Sequence, residues 1–371
     1  MNIKHKKITY IAEINLKSNS AYKHQVLKMC DAFSQNNFKV KLLIINTNTI
    51  RFKDIKKDHL LKSNFNIIGA HNSINSLNPI TRIFFAIKII FLLKNKDEVI
   101  FSRSVLVSIF LSVLKIKSIL EIHQPNSGFT NLLFNFYRKK ILKNTKFVLI
   151  NKNLNSFFLL KKKQFIVADD GVDLKDFKNK QKIKYKNSCV YTGSLFQGKG
   201  IDIILKLAKK LSHLSFYVYG DLLTAPTNIL DKCLKLKNIK LLGHVKYSRI
   251  PNILKSHKII IMPYSRNVFG NHKYANIGKY MSPLKLFDYL AAGRIILASE
   301  NSSYNHILKD NINSILCNSS NSDKWLKKFK KISQNKINIR KLKKNSIKTA
   351  KLFSWHYRID KIVRFIGKNN Q

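Results

Sequence analysis

Acidic residues are scarce in this chain. Of 371 residues, 19 are Asp or Glu against 69 Lys or Arg, which leaves a formal net charge of +50. A balance of that sign points to an anionic partner, nucleic acid or an acidic membrane surface. Arginine is scarce too, at 10 of those 69 basic residues, while Lys, Asn and Ile dominate. Bias from an AT-rich coding sequence would give the same charge with no partner at all. The lysines are spread along the chain without zinc-finger spacing or an aromatic ribonucleoprotein motif, which argues against nucleic acid. A membrane surface needs no specific geometry, since each lysine near an anionic leaflet contributes about 1 kcal/mol.

Cysteine is nearly missing: Cys30, Cys189, Cys233 and Cys317 are scattered. That excludes paired zinc spacing and the dense disulfide framework of a small secreted domain. They read as reduced core residues of a cytoplasmic protein. Long apolar runs are missing as well. "IFFAIKIIFLL" and "SVLVSIFLSVL" are too short and interrupted to span a bilayer. The opening "NIKHKK" and "ITYIAEI" lack the apolar core of a signal peptide. The expected location is therefore cytoplasmic, with peripheral attachment to the inner face of the membrane as an option. No fixed-period repeat is present.

What the chain does have is a regular alternation of strand-like and helix-like segments, with 45% hydrophobic residues to fill two cores. "KKITYIAEI" reads as a strand, "AYKHQVLKMCDAFSQNNF" as a helix with Val26, Leu27, Cys30 and Phe33 on one face, and "KVKLLII" as the next strand. Further pairs continue through "DEVIFS", "SILEIHQ", "KFVLINK" and "QFIVADDG". A polar stretch at 173–187, "DLKDFKNKQKIKYKN", reads as an interdomain linker, after which the alternation resumes from "SCVYTGSL" to "RIILAS". Repeated βα alternation predicts parallel sheets covered by helices, with a ligand cleft at the carboxyl ends of the strands.

The segments "DDGVDLKDF", "YTGSLFQGKGIDIILKLAKKL", "LLGHVKYSRIPNILKSHKIIIMPYS" and "YMSPLKLFDYLAAGRIILAS", in this order and spacing, resemble the retaining glycosyltransferases of family 4. Within them the chain is similar to relatives that read SPLK before Phe, an acid and Tyr. The resemblance implies the α/β GT-B fold: two tandem doubly wound Rossmann-like domains with a cleft between them. The N-terminal, acceptor-side domain would hold residues 1–176 together with a closing helix at 353–371 that crosses back to it. The nucleotide-sugar domain would hold 177–352. The implied reaction moves a hexose from a UDP- or GDP-linked donor to a glycan or lipid-linked acceptor with retention. Surface polysaccharide or lipopolysaccharide synthesis is the implied setting, without cofactor or metal. The chain has no Asp-any-Asp pair beside a strand end.

A nucleotide-sugar donor needs its diphosphate neutralised, its ribose accepted and its base gripped. In "GSLFQGKG" a strand leads to Gly193 and then Lys199 before a helix, which brings a cation and backbone N–H groups to phosphates. The family carries arginine where this chain has Ser194. In "SPLKLFDYLAAG", Ser282 is placed to cap and Pro283 to occupy the first helical position, leaving the N–H groups of Leu284 and Lys285 for an anion. One turn further, the carboxylate of Asp288 suits two vicinal ribose hydroxyls. The family has glutamate there and another eight positions earlier, where Tyr280 stands. Val245 and Lys246 are placed beside the base. His123, ending "LEIHQPNSG", is placed near the sugar by the resemblance. Glu121 points to the same face and is placed to pair with it. In the first βα loop Ser18, Ser20 and Ala21 stand where the family often has glycine. "RIFFAIKIIFLLK" and "NLLFNFYRKKILKNTK" mix aromatic residues with lysines, as interfacial helices do, though core helices packed on the sheet would read alike. Two other readings remain: an inactive glycosyltransferase-like subunit, suggested by Ser194, Tyr280 and Asp288, and a basic nucleic-acid-binding protein.

Overall fold

The computed structural model describes residues 6–47, 50–71, 78–93, 98–179, 181–270, 276–318 and 321–367. Most of "NIKHKK", residue 180 of the expected linker and the last four residues of the closing segment lie outside this set. The chain forms two compact units, residues 1–170 with 355–371 and residues 171–354.

The first unit runs β1 (Lys7–Ile11), α1 (Ala21–Gln35), β2 (Lys39–Ile44), α2 (Phe52–His59), β3 (Asn66–Gly69), α3 (Pro79–Leu92), β4 (Val99–Ser102), α4 (Val105–Val113), β5 (Ser118–Ile122), α5 (Gly128–Phe136), α6 (Arg138–Asn144), β6 (Thr145–Leu149), α7 (Asn155–Phe158) and β7 (Phe165–Val167). Its sheet is parallel, in the order β3-β2-β1-β4-β5-β6-β7. The order reverses between β1 and β4, so the loops after these strands diverge at one point of the carboxyl edge. Parallel strands covered on both faces read as unbroken apolar runs. All of β4 and β5 is accordingly buried, and β5 includes Glu121. A carboxylate inside such a strand must be paired.

The second unit runs β8 (Tyr185–Thr192), α8 (Ile201–Lys210), β9 (Ser215–Tyr219), α9 (Thr227–Leu234), β10 (Ile239–Leu241), α10 (Ile250–Ser256), β11 (His257–Met262), α11 (Leu284–Ala292), β12 (Ile295–Ser299), β13 (Ile315–Cys317), α12 (Ser322–Ser333) and α13 (Ile339–Leu352). Its parallel sheet has the order β10-β9-β8-β11-β12-β13, with the reversal between β8 and β11. Two apolar clusters fill its two faces, one around Leu207, Trp325 and Phe329, the other around Phe287, Tyr289 and Leu290. The last helix, α14 (Trp355–Gly367), belongs to the first unit and packs on α1.

Several expectations change. The stretch 173–187 is not a free linker: Leu174–Phe177 forms a 3-10 turn with Phe177 buried, the N–H of Val172 donates to the Phe353 carbonyl at 2.9 Å, and β8 begins at Tyr185. The units divide at 170/171 and 354/355 rather than at 176/177 and 352/353. Buried Phe177 and half-buried Leu174 anchor this stretch on the core among many lysines, and average polarity conceals them. The helix read as one piece over "NLLFNFYRKKILK" breaks at Tyr137 into α5 and α6. The edge strand β13 escaped the sequence reading because three residues carry no period.

Candidate functional site

The centre of the second sheet builds a cationic nook. Adjacent β8 and β11 end side by side, delivering Tyr191 and Gly193 from one and Tyr264 from the other. The N–H of Thr192 donates to the Tyr289 hydroxyl at 3.0 Å, and that hydroxyl donates to the Thr192 carbonyl at 3.2 Å. Tyr289 thus fastens α11 to the end of β8, bringing Lys285, one turn earlier, over the glycine. A Cβ built on Gly193 would lie 2.6 Å from Lys285 Nζ. The residue has φ +120°. A side chain is therefore excluded both by backbone conformation and by the ammonium.

Lys285 Nζ stands 3.8 Å from the centroid of the Tyr191 ring and 5.2 Å from that of Tyr264. Lys199 Nζ lies 5.0 Å from the same Tyr264 ring. Among the described residues Lys285 Nζ is buried with no hydrogen-bond partner. Burial, and then the repulsion of Lys199, hold its pKa well below the ordinary lysine value. Burial lowers that of Lys199 to about 8. Ring faces offer an ammonium a weak attraction but not a counter-charge. Two desolvated amines meet beside a glycine turn, and an anion placed there would favour their charged forms.

The helix start differs by one residue from the expectation. Pro283 itself is the N-cap, with φ −74° and ψ 120°, and no side chain caps the helix. Ser282 is therefore not the cap, and Pro283 is not the first helical residue. The Leu286 N–H turns back to the Pro283 carbonyl at 2.9 Å. Proline carries no hydroxyl or carboxylate to satisfy the N–H groups of Leu284 and Lys285, so this end keeps its positive pole uncapped. Asp288 is buried, and Tyr247 donates its hydroxyl to Asp288 Oδ1 at 3.0 Å. Tyr247 follows Val245 and Lys246 directly, so this bond holds their loop against α11. Ser194 lies in the turn after Gly193, its carbonyl accepting from the Tyr191 hydroxyl at 2.6 Å.

In the first unit the polar residues gather around Glu121. Its Oε1 accepts from Gln25 Nε2 at 2.7 Å, from His123 Nε2 at 2.7 Å and from Arg358 Nη2 at 2.6 Å, while Oε2 accepts from the Tyr10 hydroxyl at 3.1 Å. Burial pushes this carboxyl up, yet Arg358, His123 and Arg103 outweigh it and hold it below the usual carboxylate range. Burial, followed by Arg103, lowers His123 to about 4 against the pull of Glu121. His123 is therefore neutral near pH 7. Facing a carboxylate, its Nε2 carries the proton and Nδ1 is left as the acceptor. Asp170 is buried beside the same group; burial raises it to about 7 despite Arg358. Glu121, His123 and Asp170 present donor atoms within 4.8 Å of one another, the spacing of a metal set. Glu121 Oε1 already serves three donors, one of them a guanidinium, so its charge is matched within the protein. In the first βα loop Ser20 caps α1, accepting from the Lys23 N–H at 3.2 Å.

Residues 173–351 match the family described as glycosyl transferases group 1. The match falls within the second unit and covers just under half of the chain. The whole chain has the GT-B fold, shown by its likeness to solved structures. A glycosyltransferase from Rickettsia africae ESF-5 superposes with a TM-score of 0.75 at 15% identity, over 96% of this chain and 97% of that one. HepE of Anabaena, in complex with UDP and glucose, gives 0.74 at 10% identity over 97% and 98%. WaaG, a glycosyltransferase involved in lipopolysaccharide biosynthesis, gives 0.65 at 13% identity over 97% and 99%. No curated protein sequence matches significantly.

Within the second unit the structure gathers Gly193, Lys199 and Lys285 into one nook and ties Asp288 to the loop of Val245 and Lys246. His123 lies in the other unit, in the Glu121 cluster. The sequence reading did not single out Tyr191, Tyr264, Tyr247 or Tyr289. Tyrosines at strand ends carry no spacing signal, and only the β8–β11 pairing shows which of them share a wall. Arg358 was missed as well, inside the closing helix expected at 353–371.

Proposed function

We propose that the chain transfers a hexose from a UDP- or GDP-linked sugar to a glycan or lipid-linked acceptor with retention of anomeric configuration. The observation that carries this reading is the unpartnered Lys285 ammonium beside Lys199 on the Tyr191–Tyr264 wall. A diphosphate supplies the counter-charge those two groups lack, and the uncapped start of α11 adds N–H donors. As the glycosidic bond breaks, negative charge grows on the departing phosphate, and fixed cations in a dry wall stabilise it without reorganising. Asp288, held by Tyr247, is assigned the ribose hydroxyls, and the neighbouring Val245 and Lys246 the base. His123, neutral and fixed by Glu121, is assigned to the sugar side through Nδ1. No step is assigned to a metal.

The bound UDP and glucose of HepE, and the place of WaaG in lipopolysaccharide biosynthesis, support a nucleotide-sugar donor and a surface-glycan setting. Titration calorimetry with UDP, GDP and ADP tests the donor. One nucleotide should bind the wild-type protein and bind Lys285→Ala far more weakly. Equal binding by both proteins would remove the nook from the reading. Donor hydrolysis without acceptor separates an active enzyme from an inactive subunit.

A further inference from the structure

The first unit carries an apolar surface that neither donor binding nor the core explains. On α3, Phe85, Ala86 and Ile89 point into the core. Ile80, Phe84, Ile87 and Phe91 recur at helical spacing on the opposite face, between 39% and 73% exposed. Two helices on, α5 repeats the pattern: Phe134 is buried while Phe129, Leu132 and Phe136 are 53% to 80% exposed. All five exposed phenylalanines among the described residues, Phe84, Phe91, Phe129, Phe136 and Phe157, lie on α3, α5 and α7. These helices form one neighbourhood. Both α3 and α5 pack on α4, Phe157 lies edge-on to Phe158, Phe158 to Phe134, and Arg138 donates to the Phe158 carbonyl at 2.6 Å.

Exposed aromatic stripes of this extent mark an interaction surface. The charge around them selects the partner. Residues 122–168 contain no Asp or Glu, and neither does α3. Lys88, Lys139, Lys140, Lys143 and Lys161 are all exposed. Among the described residues no helix is long and apolar enough to cross a membrane, so the stripes have no bilayer-spanning role. We infer that α3, α5 and the α7 turn form a docking face that inserts its phenylalanines between the headgroups of an anionic lipid surface while the flanking lysines contact the phosphates. Amphipathic helices with lysine flanks and aromatic faces lie in the interface plane in this way. The inference deepens the proposed function: it rests on the lipid-linked branch of that reading for its purpose, and on the surface alone for its chemistry.

The test is co-sedimentation of the full chain with phosphatidylcholine vesicles and with the same vesicles containing phosphatidylglycerol. The wild-type protein should bind the anionic vesicles, weaken as salt rises, and retain a salt-resistant fraction from the inserted rings. The pairs Phe84→Ser with Phe91→Ser, and Phe129→Ser with Phe136→Ser, should each weaken binding by about tenfold or more. Their melting temperatures and UDP binding should be unchanged, because the rings are exposed and lie outside the nucleotide nook. Failure of UDP, GDP and ADP alike to bind the wild-type protein would sink the donor reading and leave this one standing. No binding to anionic vesicles would overturn the inference, as would serine variants that bind like wild type. A wild-type dimer that dissociates in the serine variants would instead assign the face to a second copy of the chain.

Discussion

Replacing Arg358 with methionine should unfold the first unit at a denaturant concentration far below that of the wild type. Its guanidinium donates to Glu121 Oε1 at 2.6 Å, to the Asp169 carbonyl at 3.1 Å and to the Ala168 carbonyl, and rests on Met29. Methionine fills a similar volume without any of these donors. Glu121 would remain buried as an anion bonded to Gln25, His123 and Tyr10, with Arg103, which donates to Gln25 rather than to Glu121, as the remaining cation nearby, and stranding one member of a buried pair costs about 3 to 5 kcal/mol. That is a large part of the roughly 5 to 15 kcal/mol that holds a domain together. With a urea slope near 2 kcal/mol per molar, the midpoint should fall by about 1.5 to 2.5 M. The two tryptophans separate the units, since buried Trp355 lies in the first and buried Trp325 in the second. In variants keeping one tryptophan each, the Trp355 signal should shift more than the Trp325 signal. Adding Glu121→Gln should restore much of the loss, because the stranded charge disappears with it. Arg358 holds the folded carboxyl below its unfolded value, so the pair's contribution is present above about pH 4.3 and lost on acidification below it. The gap between wild type and variant should therefore narrow in acid. An unchanged Trp355 midpoint, or a double variant no better than the single, would refute the reasoning.

Lys285→Met should leave the protein as stable as wild type or more so, because a desolvated, unpartnered ammonium is removed, yet weaken UDP binding by at least tenfold; thermal melts with and without nucleotide read both effects. Lys199→Ala should weaken binding by a charge-assisted contact of roughly 1.5 to 3 kcal/mol, and unchanged kinetics would remove its phosphate role. Because burial sets Lys199 near 8, nucleotide affinity should fall as pH rises through that value, and calorimetry in buffers of different ionisation enthalpy should show proton uptake on binding. Asp170 is raised to about 7, so the native state binds the extra proton between about pH 3.9 and 7 and loses stability across that window as pH rises. Asp170→Asn should accordingly gain stability over wild type at pH 8 but not at pH 4, measured by urea midpoint.

How much of this was legible in the chain depends on the range of the interaction that decides it. The alternation of buried strands and one-faced helices is a local property. It stood in the apolar runs of β4, β8 and β11 and in the spacing of α1, α8 and α14, so two parallel α/β sheets followed from sequence alone. The glycine turn before Lys199 and the uncommon start of α11 were legible for the same reason: φ above zero at Gly193, and a proline before Leu284, are written in single residues. The exact cap was not. Local preference favours Ser282 at the cap and Pro283 at the first helical position, and the folded backbone instead sets Pro283 at the cap. Nor does any local rule say that Lys285 fills the space beside Gly193, or that Tyr191 and Tyr264 line one wall; the first follows from Tyr289 fastening α11 to Thr192, the second from β8 and β11 being neighbours across 65 or more residues of chain. Arg358 and Glu121 stand 237 positions apart. Sequence placed Glu121 to pair with His123, and a carboxylate buried in β5 needs a cation besides. Only the return of α14 to the first sheet decided which one, because desolvation makes the demand and three-dimensional proximity alone can meet it.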